Sequence, residues 1–238
     1  MVEEDVAKSS HRLRHLPELG EAPATRRRVA GVSLAQRERH ALVRSALAAG
    51  AEAPTLCGTW TVYDLAAHLV VRERRPDAAL GILLKPLSGY LDKQQAKIRQ
   101  RPFPELAEQI RTGPPLWSPL RPVDAVVNLT EMFIHHEDIR RGEPGWEPRQ
   151  LDDADEQRLW RALRAIARAN YRKSPAPLVL ATPGGERITA HAGTGDAVVL
   201  TGPPSELLLH AFGRDEVRIE ASGPDADVRA VLATDRSV

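Results

Sequence analysis

The residues Ser174-Pro175-Ala176-Pro177 divide the chain into two regions with different apolar spacing, and this break limits the possible folds more than any other feature. Upstream, apolar residues recur at helical spacing between capping signals; downstream they come in runs of about four, the length of short strands. Ser33 and Gln36 have capping-box spacing and open a helix that stops near Gly50. Thr61 and Asp64 repeat the signal, starting a helix that turns Val62, Leu65, Ala66, Leu69 and Val70 inward and carries His68. Pro76 interrupts that helix or begins the next piece, Tyr90 to Arg99 reads as an exposed helix, and Pro104 opens a short helix through Ile110. Val123 to Arg140 is the clearest amphipathic pattern, with Pro122 suited to its first turn. Beyond Gly142, Pro144, Gly145 and Pro148, Asp152 to Tyr171 reads as a last long helix. Several helices joined by short breaks imply a bundle.

After the break, 178–180, 187–190, 197–200 and 217–220 read as strands, with Gly184-Gly185 as a hairpin turn. Ser205 to Phe212 reads as a helix capped by Ser205. The expected organisation is mainly α: a tail over 1–31 that includes the basic run Arg26-Arg27-Arg28 and reads as disordered, a helical bundle over 32–172, and a small α+β domain over 173–238.

Charge and cysteine content narrow the function. Lysine plus arginine (33) and aspartate plus glutamate (32) nearly cancel, so no global field attracts nucleic acid or an anionic membrane. Cys57 is the one cysteine, which excludes an internal disulfide framework and a multi-thiolate zinc site. With no apolar run of membrane-spanning length and no export signal, a cytoplasmic protein is expected. Gly184-Gly185 and Gly193-Thr194-Gly195 are turns rather than phosphate cradles, because neither opens a helix after a strand.

The chemistry concentrates in three residues. Glu131 and His135 stand four apart on one helix and share a face, so a carboxylate oxygen and an imidazole nitrogen can converge on one ion. His68 lies in an apolar stripe of another helix, where its ring nitrogens need partners. Two imidazoles and a carboxylate suit a divalent metal, zinc first and iron or nickel next, with open positions for water or substrate. His136 lies about 100° further round the helix and fits the Glu131 face less well. Asp138 and Asp64 are placed to orient the ligands through their second ring nitrogens, or else to serve as surface charge and helix cap. Cys57 precedes a helix start, but reads as a small buried residue with no base beside it.

The segments Pro54-Thr55-Leu56-Cys57, Trp60 through Leu69, Val70 through Ala78, and Glu131-Met132-Phe133-Ile134-His135-His136-Glu137-Asp138 together resemble the mycothiol-dependent maleylpyruvate isomerase family of the DinB-like superfamily. Its uncharacterised metal-binding branch is the most similar. Leu200 through Leu209 and Phe212-Gly213-Arg214 extend the resemblance into the last domain. The resemblance implies a DinB-like four-helix bundle with a small α+β C-terminal domain, and a divalent metal held by His68, Glu131 and His135. It also implies mycothiol as cosubstrate, adding to a small electrophilic or unsaturated acid in an isomerase or transferase reaction. Arg214 and Arg72 are then candidates to grip a substrate carboxylate. Two alternatives stand beside it: a non-catalytic or regulatory metal module, closed for example by His136, and a metal-dependent hydrolase using Glu73 or Asp138 as base.

Overall fold

In the computed structural model residues 33–75, 77, 88–115 and 125–236 are described. The expectations for the 1–31 tail, Pro76 and Pro122 lie outside them.

Both capping boxes form. Ser33 and Gln36 exchange side-chain and backbone bonds at the head of α1 (Leu34–Ala49), and Thr61 and Asp64 do so at α2 (Val62–Arg74). Two further helices follow, α3 (Ser88–Ile98) and α4 (Phe103–Thr112), the latter with Pro104 in its first turn. The long helices α5 (Ala125–Arg140) and α6 (Asp153–Asn170) complete the helical part, with Asp152 capping α6. Leu42, Val43, Leu65, Leu69, Leu106, Ile110 and Met132 interdigitate between α1, α2, α4 and α5.

A second apolar cluster joins Leu129 and Phe133 of α5 and Leu159, Trp160 and Leu163 of α6 to a small sheet. The sheet contains β1 (Leu178–Ala181), β2 (Arg187–His191), β3 (Val198–Thr201) and β4 (Glu220–Ser222) in the order β2-β1-β3-β4. β1 pairs antiparallel with β2 across the Gly184-Gly185 turn and parallel with β3, and β4 runs antiparallel to β3. Gly185 takes a φ of 87°, the left-handed conformation that this tight turn requires. Helix α7 (Pro204–Ala211) lies between β3 and β4 in the chain and packs on α6, and α8 (Asp225–Leu232), which sequence patterning missed, packs against β3 and β4. The protein is thus mainly α with a small α+β part, as expected. No described helix is long and apolar enough to cross a membrane.

Three details differ from expectation. Helix α5 is not amphipathic: between Leu129 and Ile139 every residue is buried except Glu131 and His135, which are half-buried, and its inward polar groups are all partnered. His136 bonds Glu38 (2.9 Å) and Ser45 (3.0 Å), while Glu137 accepts bonds from Arg140, Arg141 and Arg149. Ser205 does not cap α7. Its N–H and hydroxyl both go to the Glu156 carboxylate, because Pro203 and Pro204 start the helix one residue earlier. The strand expected at 217–220 begins only at Glu220, since side chains have taken the backbone groups before it: Arg141 Nη1 bonds Glu216 O (2.5 Å), and Arg218 N bonds Glu206 Oε2 (2.8 Å).

The α6–α7 contact contains a pH-sensitive element. Tyr171 Oη and His210 Nδ1 are 2.7 Å apart in the interior, and burial together with nearby Arg236 pushes the His210 pKa down to about 3 from 6.5. The folded-state value is depressed, so below pH 6.5 the unfolded chain takes up a proton that the folded one refuses. Stability therefore falls as pH drops from about 6.5 toward 3, by at most about 1.4 kcal/mol per pH unit from this residue. Urea unfolding of wild type and His210→Phe at pH 7 and 4.5 should show the variant losing about 2–3 kcal/mol less on acidification. Equal losses would assign the acid sensitivity elsewhere.

Candidate metal centre

The middle of α5 faces α2 and the loop before it. His135 Nε2 lies 3.2 Å from Glu131 Oε1, and His68 Nε2 on α2 approaches the same oxygen at 3.7 Å. The two imidazole rings stand edge to face, 5.7 Å between centroids, and Trp60 lies against His68 at 5.2 Å. One donor atom from each of His68, Glu131 and His135 falls within 4.8 Å of the others. Two nitrogens and a carboxylate oxygen at that spacing fit a small divalent cation. Nδ1 of His68 is buried and has no hydrogen-bond partner among the described residues.

The electrostatics fit the same reading. Burial opposes charge on Glu131, but hydrogen bonds from His135 and His68 and the Arg72 guanidinium hold its carboxyl well below the usual range. Burial likewise opposes charge on His135, yet bonds to Asp138, Cys57 and Glu131 raise its pKa well above normal. For His68 burial outweighs the opposing bond to Glu131, and its pKa is lowered. A proton on His135, poised between two carboxylates, thus occupies the electrostatic position that a cation would compete for.

Asp138 fixes the His135 ring, with Oδ2 2.9 Å from Nδ1. Arg214 in turn grips Asp138 with two parallel bonds, Nε to Oδ1 at 2.8 Å and Nη2 to Oδ2 at 2.6 Å. The structure brings together His68, Glu131, His135, Asp138 and Arg214. It does not bring Asp64 to His68: its carboxylate serves the Thr61 cap and pairs with Arg99 (2.6 Å). Arg72 meets Glu131 (3.2 Å) and Asn128 (3.1 Å). His136 faces α1, away from the cluster. Glu73 is bound by Arg39 through both oxygens.

Cys57 corrects the expectation of an inert residue without a base nearby. Its sulfur lies 3.0 Å from Asp138 Oδ2 and 3.8 Å from His135 Nδ1. Gly142 makes this placement possible, because a Cβ there would collide with the backbone of Pro54; the loop settles on the end of α5 and Leu56 N bonds Asp138 O (3.1 Å). Cys57, His135 and Asp138 form a second group of possible ligands, but both Asp138 oxygens already accept from Arg214, so the His68 group is the better fit.

A cavity of about 430 Å³ opens onto the cluster, lined by His68, Glu131 and His135 and walled by Leu56, Trp60, Ile134 and Phe212, with Cys57 and Arg214 also at its surface. That volume suits a small molecule. Trp60 and Phe212 had no periodic signal of their own, because each sits in a loop or at a helix end.

No family model matches the sequence, and no curated protein does. Among solved structures, the crystal structure of the mycothiol-dependent maleylpyruvate isomerase superposes with a TM-score of 0.55 at 16% identity, covering 79% of this chain and 90% of that one. A histidine-to-alanine mutant of that enzyme gives 0.55 at 17%, with the same coverage. At such low identity the likeness concerns architecture alone: over 79% of its length the chain shares the fold of the mycothiol-dependent maleylpyruvate isomerase.

Proposed function

We propose that the protein is a divalent-metal enzyme, with zinc as the favoured ion, that uses a small thiol to isomerise or trap a small electrophile. The observation that carries this reading is the convergence of His68, Glu131 and His135 on an open cavity, with His135 fixed from behind by Asp138. A bound divalent cation would supply Lewis-acid stabilisation of a thiolate, making the thiol a nucleophile at neutral pH.

The chain's own residues do the rest. Asp138 sets the ring orientation of His135 so that Nε2 faces Glu131, and Arg214 keeps Asp138 ionised and in place. Leu56, Trp60, Ile134 and Phe212 give the cavity apolar walls that exclude water from the reacting carbon. Thiolate adds to one carbon of an activated double bond, and the electron pair moves onto the conjugated carbonyl. Rotation about the new single bond and expulsion of the thiolate returns the isomer, whereas protonation of the adduct gives transfer. The fold shared with a mycothiol-dependent isomerase supports mycothiol as the thiol.

The pairings revise the role of the two arginines. Arg214 directs bonds at both Asp138 oxygens, Cys57 and the Phe212 carbonyl, which uses four of its five N–H groups. Arg72 is held by Glu131 and Asn128. We therefore assign both to positioning the site rather than to presenting an open fork to a substrate carboxylate. A hydrolytic reading is weaker, since Glu73 is neutralised by Arg39 and Asp138 by Arg214.

Elemental mass spectrometry of untagged wild type, His68→Ala and His135→Ala should find near-stoichiometric divalent metal in the first and little in the others. Calorimetric titration of mycothiol should then register binding only to the metal-loaded form. Metal without thiol binding would favour a structural ion, and no metal after loading with zinc, nickel and iron would overturn the proposal.

A further inference from the structure

Arginines in the interior of this protein are answered by acids. Arg39 meets Glu73, Arg149 meets Glu38 and Glu137, and Arg141 meets Glu137 and Glu206, while at the surface Arg37 meets Asp155. The outer face of α6 breaks the pattern. Arg164 and Arg168 stand four residues apart on that face, and Arg187 of β2 lies across from them; the three line one cleft of about 410 Å³ with Ala165, Ile188 and Thr189. Among the described residues, no carboxylate pairs with any of the three. Glu186, the acid next to Arg187, is bonded to Gln157 Nε2 (2.7 Å).

Like charges four apart on a helix are mildly destabilising, and a third guanidinium facing them adds repulsion. In a chain of formal net charge +1 the cluster is a local excess of positive charge, not a share of a global one. β2 is also an edge strand, paired with β1 on one side only, so the cleft borders backbone not committed to a sheet ladder. Guanidinium forks bind phosphate oxygens in pairs, and Thr189 adds a hydroxyl donor. The cleft is concave and of small-molecule size, and no aromatic ring lines it for base stacking.

We propose that Arg164, Arg168 and Arg187 form a binding site for a small oligophosphate anion, separate from the metal centre and independent of its function. The shared chemistry is two or more linked phosphates, carried by a free polyphosphate or a nucleotide.

The test is calorimetric titration of the full chain with inorganic pyrophosphate and with ADP, at low salt and without added divalent metal. Wild type should bind pyrophosphate saturably, and the double variant R164Q/R168Q should bind at least about tenfold more weakly, as loss of charged hydrogen bonds predicts. R187Q should also weaken it, whereas R44Q, which removes an exposed arginine of α1, should not. These side chains are exposed, so unchanged melting temperatures verify intact folds. Equal affinity for ADP and pyrophosphate would mean that phosphates alone are read, and tighter ADP binding that a nucleoside adds contacts; either supports the site. Absence of saturable pyrophosphate binding, or binding that R164Q/R168Q leaves unchanged, would overturn it. A single-stranded oligonucleotide held far more tightly than pyrophosphate through the same arginines would also overturn it, in favour of a nucleic-acid surface.

Discussion

Replacing Asp138 with asparagine is expected to weaken divalent-metal binding about ten- to a hundredfold, the usual effect of removing a partner that orients a ligating histidine. The amide would preserve the shape of the side chain but not its charge, and one amide oxygen cannot replace two carboxylate oxygens that together serve His135, Arg214 and Cys57. Arg214 would be left in a mostly buried place without its counter-ion, so some stability should also be lost. Chelator competition well below the melting temperature separates the two effects. A lower melting temperature with unchanged metal affinity would make Asp138 a structural residue only.

The second large effect is expected at Arg141. Its guanidinium is fully enclosed, with Nε on Glu137 (2.7 Å), two bonds to Glu206 (2.6 and 3.0 Å), and Trp146 stacked 4.5 Å away. It joins the end of α5 to α7 and to the segment before β4. Arg141→Ala would leave two buried carboxylates facing each other, and breaking a buried pair from one side costs about 3–5 kcal/mol. Urea unfolding should register that loss, with Arg141→Met losing less because it keeps the packing of the stem. A change under about 1 kcal/mol would mean that Arg140 and Arg149 can take over both acids.

The elements that the sequence predicted well are those whose signals are local. Ser33 with Gln36 and Thr61 with Asp64 cap helices through bonds spanning three residues, and a reader of the sequence needs nothing else to place α1 and α2. The spacing of Glu131 and His135 is equally local, since helix geometry alone puts them on one face. His68 joins them through a contact between two helices; its place in an apolar stripe raised that grouping, and the family resemblance strengthened it. Distant partners hid the rest. Cys57 meets Asp138 across 81 residues, and the loss of strand at 217–219 depends on Arg141 and Glu206, which no pattern near Val217 reveals. Asp64 offered two roles by position, and Arg99 and the Thr61 cap took its carboxylate. Helix α8 lacks a side-chain cap, which removes the signal that exposed the others.

The clamp on Asp138 comes from a residue 76 positions later in the chain. During synthesis His68, Glu131 and His135 all leave the ribosome before Arg214 exists. A growing chain therefore presents these three side chains and Asp138 without the guanidinium that holds the Asp138 carboxylate, which arrives only when α7 and the loop after it dock beside α5. On the metal reading proposed above, the complete site would exist only in finished molecules, so that a cation would bind to an architecture already chosen instead of steering nascent helices into the wrong one.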